Sequence, residues 1–153
     1  MRQTAHALAR SLLGVEELPH WEPAAAGVLC VAGPHPIPVS TAVRAGGRRL
    51  LVALGSRRET LARLRADPAA AYCLLAEGLA FTAHGRAAVV SESLECAPQV
   101  AAVELAVDRL QDHLADGRTE MVSGPVWRWR DEGAAGADPR IRAELESLAA
   151  AGG

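Results

Sequence analysis

The chain has 153 residues, half of them hydrophobic and 22 % charged, which suits one folded domain with a real core. A net charge of −2 and a pI near 6.2 argue against broad binding to nucleic acid or to anionic membranes. Aromatic residues make up only 3 %, so alanine, valine and leucine must fill the core, and no apolar run approaches the ~20 residues of a membrane span.

Residues 4–13 read as a short helix, with Ala5, Leu8, Ala9 and Leu12 on one face. Arg10 interrupts that apolar stretch and Glu16 and Glu17 follow it, so no secretory signal is expected. Residues 26–32 form a first strand, and Gly33-Pro34-His35-Pro36 a turn. Residues 37–43 form a second strand, in which Pro38 marks an edge or a bulge. Gly46-Gly47 makes a hairpin turn into a third, apolar strand at 49–54. Gly55 ends that strand. Ser56 and Glu59 have capping-box spacing, which predicts a helix from Ser56 to about Ala66, before Asp67-Pro68. Strands at 70–76 and 79–90 follow.

Pro98 opens a predicted helix running to Gly117, because Val100, Val103, Val107, Leu110 and Leu114 recur at spacings of three and four. A sixth strand is predicted at 120–130, and Asp138-Pro139 caps a C-terminal helix carrying Ile141, Leu145 and Leu148 on one face. Six strands joined mostly by short turns do not show the strand–helix alternation of a doubly wound sheet. They fit a mainly β protein, a small antiparallel barrel with peripheral helices. The cysteines Cys30, Cys73 and Cys96 are odd in number and lack CxxC spacing. Cys30 and Cys73 lie in apolar runs and read as buried thiols, which fits a reducing cytoplasm.

Four constellations stand out. Arg57 and Arg58 sit in the first turn of the helix predicted at Ser56, where the helix dipole favours anions. Strand, glycine, hydroxyl and two guanidiniums at a helix start make a phosphate site, with Thr60 one turn on as a second hydroxyl; the plainer alternative is a surface helix with solvated arginines. Pro38, Val39, Ser40 and Thr41 are small or hydroxylic and would let a flat ring approach the backbone, or they simply fill a strand. Thr82, His84 and Arg86 share one face of the long strand, lining either a cleft, an interface or open solvent. Trp127 and Trp129 alternate with Arg128 and Arg130 and point to ligand stacking or a subunit interface, against plain core filling. No histidine pair has metal-ligand spacing. The absence of GxSxG, P-loop and GxGxxG patterns favours a bound cofactor as the carrier of any chemistry.

The order Pro38-Val39-Ser40-Thr41, Leu50 to Leu54, Leu-Gly-Ser-Arg-Arg at 54–58 and Ala-Asp-Pro at 66–68 resembles the pyridoxamine 5′-phosphate oxidase-like superfamily of FMN-binding split barrels. The strand Ala-Phe-Thr-Ala-His-Gly-Arg-Ala at 80–87 resembles that family's segment with a central glycine. The resemblance covers roughly residues 25–130 and implies a six-stranded antiparallel split β-barrel of Greek-key type as a single domain. It implies that Arg57 and Arg58 hold the FMN phosphate, assisted by Ser56 and Thr60, and that residues 38–41 lie beside the isoalloxazine ring. It further implies a homodimer with the flavin at the subunit interface, where Trp127 and Trp129 would reach the partner's flavin. Arg58 stands where lysine is commoner, the segment from Ser56 to Pro68 is longer than in the oxidase, and the oxidase's C-terminal substrate signature has no counterpart. The expectation is therefore an FMN- or F420-dependent oxidoreductase acting on a small organic substrate, with His84 as a candidate proton donor. The alternative is a split barrel that binds heme or no cofactor and has no enzymatic role.

Overall fold

The computed structural model of the chain describes residues 17–152; the helix expected at 4–13 lies outside them. Among the described residues seven strands form one sheet: β1 (Gly27–Val31), β2 (His35–Val39), β3 (Val43–Arg44), β4 (Arg49–Gly55), β5 (Ala69–Ala76), β6 (Leu79–Ser91) and β7 (Val100–Asp112). Their order is β2-β1-β5-β6-β7-β4-β3, and every pairing is antiparallel. The sheet curls into a half-barrel around an aliphatic core, in which Leu29, Leu50, Val52, Leu74, Val103 and Leu105 are fully buried. Helix α1 (Glu59–Ala66) joins β4 to β5, and α2 (Glu132–Ala151) follows the barrel. Among the described residues no helix is long and apolar enough to cross a membrane.

Seven strands replace the expected six, through three differences. The largest is at 98–117, where the predicted helix is the long strand β7. Ala101, Val103, Leu105 and Val107 face the barrel interior, whereas Ala102 and Val100 face α2. A strand covered on both faces is apolar on both, so its pattern does not show a period of two. A bulge adds to the confusion: His84 pairs with Arg109 but Gly85 with Val107, leaving Asp108 unopposed. That slip of one residue returns Leu110 to the interior and counterfeits helical spacing.

The second difference is at 37–43. The chain pairs with β1 as far as Val39, crosses over, and pairs with β4 from Val43. One expected strand is thus two. The crossing is pinned at Thr41, which stands opposite Ala53 by the β3–β4 register. Its hydroxyl accepts from Ala53 N at 3.1 Å and donates to Ala53 O at 3.3 Å. One side chain does there what a backbone pair does elsewhere in the ladder. The third difference is at 120–130, which joins no ladder and runs as an extended segment. Pro125 cannot donate to a sheet, and the segment is held instead by Gly78 N donating to Met121 O and Trp127 Nε1 donating to Ala24 O.

Helix α2 starts at Glu132, seven residues before the expected start at 139, because the Asp131 side chain caps it by accepting from Gly133 N. Asp138 is buried inside the helix and paired with Arg142 one turn on. The helix packs Leu145 and Ala149 against Val43, Leu51 and Ala102 on the outer face of β3, β4 and β7. The Glu144 carboxylate accepts from the backbone of Glu95 and Cys96 at 2.8 and 2.9 Å, fastening the β6–β7 loop to α2. Burial pushes that carboxyl up, but these two amides and the Cys96 thiol outweigh burial and hold it below its ordinary value.

Trp21, Tyr72 and Phe81 form a small aromatic cluster at one end of the core, with ring centroids 5.7–6.5 Å apart. Among the described residues the buried Tyr72 hydroxyl has no hydrogen-bond partner, and burial raises its pKa far above the ordinary value. It lies against Gly27, where an added Cβ would overlap it. Removing a buried, unpartnered hydroxyl relieves its desolvation cost. Tyr72→Phe is therefore expected to leave stability unchanged or raise it by about 1 kcal/mol in a denaturant titration. A loss of stability would mean that the hydroxyl has a partner.

Candidate functional site

Strand β4 carries the chain to the basic turn. Ser56 does not cap a helix. Its N–H donates to Gln99 O at 2.8 Å, prolonging the contact between β4 and β7. The helix starts three residues later than expected, with Arg58 as its N-cap residue in an extended conformation and without a side-chain cap. The expected capping box is absent because Glu59 turns instead to Arg63, 2.9 Å away and one turn on. Arg57 and Arg58 are both exposed. Among the described residues neither has a carboxylate partner, as is also true of Arg48, Arg86, Arg109, Arg118, Arg128, Arg130 and Arg140, while Arg44, Arg49, Arg63, Arg65 and Arg142 are paired. The stem of Arg58 folds back over Gly55, 3.5 Å from where a Cβ would stand. Two exposed guanidiniums beside the first turn of a helix add their positive charge to that of the helix start, where the dipole favours anions. Thr60 is placed differently from the expectation. It is only 1 % exposed, on the face that α1 buries with Leu61 and Leu64, so its hydroxyl is not presented beside the arginines.

The segment 38–41 meets this turn at the seam of the barrel. Thr41 is bonded to Ala53, two residues before Gly55. Ser40 is half-buried at the crossing, Pro38 is exposed and Val39 is buried in the core. Trp127 and Trp129 do not lie in a strand. They pack edge to face with centroids 5.3 Å apart, 36 % and 43 % exposed. The bond from Trp127 to Ala24 fixes them just before β1, whose Gly27 pairs with Val39. Thr41 is thus tied to β4 two residues before the glycine that opens the basic turn, and Trp127 is anchored three residues before β1.

Thr82 and His84 do face outward on β6, as their alternation predicts, with Phe81 and Ala83 inward. Each is tied to β7: Thr82 Oγ1 to His113 Nε2 at 2.7 Å, and His84 Nε2 to Gln111 Oε1 at 2.6 Å. Cys30 and Cys73 are half-buried on that same outer face, not in the core as expected, because each occupies an outward position of its strand. Cys96 is exposed. Among the described residues no group of three histidine, cysteine or acidic side chains is arranged to hold a metal ion.

One residue beside this region escaped the sequence reading. Trp21 lies before the first expected strand, and its indole N–H donates to Ala42 O at 3.0 Å, fixing the residue that follows Thr41. A lone tryptophan in an aromatic-poor chain was the available signal.

No protein-family model and no curated protein matches the chain in sequence. Solved structures match it in fold. A pyridoxamine 5′-phosphate oxidase-like protein from Lactobacillus delbrueckii is 15 % identical with a TM-score of 0.52, over 64 % of this chain and 96 % of that one. The HupZ protein of Group A Streptococcus is 10 % identical with a TM-score of 0.51, over 67 % of this chain and 90 % of that one. With its antiparallel half-barrel, the crossing at Thr41 and these structural matches, the chain has the split-barrel fold of the pyridoxamine 5′-phosphate oxidase-like proteins.

Proposed function

We propose that this protein is an oxidoreductase that binds FMN, or the deazaflavin F420, and acts on a small organic substrate. The observation that carries the reading is the pair Arg57 and Arg58: exposed, adjacent, at the start of α1 and without an internal carboxylate among the described residues. A pair of cations left unmatched by the fold suits a phosphate dianion. Ser56 adds a hydroxyl beside them. Pro38, Ser40 and Thr41 offer a surface of small side chains for the cofactor ring, held rigid by the bonds between Thr41 and Ala53. When bound, the cofactor supplies the ring that accepts or donates the electron pair; the protein anchors its phosphate, orients it and excludes water.

The proposed assembly is a homodimer with the cofactor at the subunit interface. Its support is the outer face of β2, β1 and β5. The registers align two rows across the sheet, Pro38-Val28-Cys73-Thr82 and Pro36-Cys30-Ala71-His84. On the first three strands neither row holds a charged side chain, and Val28 and Leu75 are 41 % and 42 % exposed. A water-facing antiparallel sheet is ordinarily polar on that side, so a covering partner is the natural reading.

Titration of the purified protein with FMN and with F420, followed by visible absorbance and fluorescence, tests the reading. Saturable binding of either cofactor supports it and identifies which is used. A protein that takes up neither is not a flavin- or F420-dependent enzyme.

A further inference from the structure

A cavity of about 390 Å³ opens at the β5–β6 turn, against Trp21. Its walls are His20, Glu22, Glu77, Gly78 and Leu79, with Trp21 as its aromatic side. The volume lies in the range of small-molecule pockets. Trp21 is immobilised from two directions. Its indole N–H is bonded to Ala42 O, and its ring rests on Phe81 and Tyr72 at 5.7 and 6.5 Å. The ring is therefore a fixed wall, already ordered before any ligand arrives.

The ionisable residues that line the cavity are mostly acidic. Glu22 and Glu77 both line it, and among the described residues neither is paired with a lysine or arginine. His20 is the basic residue among those that line it. A rigid indole flanked by two unneutralised carboxylates attracts an organic cation: the ring quadrupole and both charges act in the same direction. An anionic ligand would be repelled by the same groups.

We propose that this cavity is a binding site for a small organic cation, such as a quaternary or protonated amine. The preference for cations stands independently of the cofactor reading above.

Choline and its neutral isostere 3,3-dimethylbutan-1-ol separate charge from shape. Calorimetric titration of the full chain at pH 7.5 is expected to show choline binding about tenfold more tightly than the isostere. The Glu22→Gln/Glu77→Gln variant is expected to abolish most of that difference. Both positions are exposed, so the substitution leaves the fold intact, which a melting curve checks. In the wild type, the Trp21 indole N–H resonance should shift with choline and not with acetate. Equal affinity for the two isosteres, no choline binding, or a preference that survives the double substitution would overturn the proposal. The FMN and F420 titrations are read separately: cofactor binding without choline selectivity removes this inference alone, and choline selectivity without cofactor binding removes the cofactor reading and leaves a cation-binding pocket.

Discussion

Gly85→Ala is expected to cost at least about 3 kcal/mol of folding stability. At the bulge between His84 and Gly85 the backbone of β6 comes so close to β7 that a Cβ at position 85 would overlap the carbonyl oxygen of Ala106. It would also stand 2.8 Å from the carbonyl carbon of Ala106 and 3.0 Å from Val107 Cα. These are backbone atoms of a strand flanked by β6 and β4 and packed on both faces, so they have nowhere to move. For a domain of this size each kcal/mol lowers the melting temperature by roughly 2–4 °C, so a fall of about 10 °C is expected by circular dichroism. Gly136→Ala supplies the opposite sign. That glycine lies in α2 with nothing within 4 Å of an added Cβ, and the exchange should stabilise the helix by up to about 1 kcal/mol. If Gly85→Ala melts within a degree or two of the wild type, the bulge is misplaced.

Replacing both Arg57 and Arg58 by alanine is expected to weaken binding of the phosphorylated cofactor at least about 100-fold, because each charge-assisted hydrogen bond contributes about 1.5–3 kcal/mol. Stability should hardly change. Neither arginine has an internal ion partner among the described residues, and exposed substitutions away from packed features typically fall within about 0.5 kcal/mol. Arg63→Ala is the contrasting variant. Arg63 is engaged with Glu59 and lies over the Gly33 turn, so its loss should change cofactor affinity about twofold at most, since a screened exposed charge contributes little. Equal losses in both variants would indicate a diffuse basic surface and no phosphate cradle.

The strands that alternate, and the short apolar run bounded by glycines at 49–54, are legible from residues alone. Those expected at 26–32, 49–54, 70–76 and 79–90 all lie within two residues of β1, β4, β5 and β6. Strand β7 was not legible, because α2 covers its second face. The helix that makes Val100 and Ala102 apolar is itself thirty residues away in sequence. Local patterning cannot distinguish a strand buried twice from one stripe of a helix. The crossing at Ser40–Ala42 was hidden for another reason. A threonine side chain standing in for a ladder bond leaves no mark on hydrophobic periodicity. At the site, the two arginines were visible as an unfavourable charge placement at a helix start. That Thr60 faces the core follows only once the helix is known to begin at Glu59, three residues later than the Ser56–Glu59 spacing suggests.

The central claim is that the unpaired cations at 57 and 58 hold a phosphate. Parallel titrations of the wild-type protein with FMN and with riboflavin, which carries the same ring without the phosphate, test it most directly. Two lost charge-assisted hydrogen bonds predict FMN binding at least about 100-fold more tightly than riboflavin, with the advantage shrinking as salt is added. Equal affinity for the two flavins would contradict the assignment.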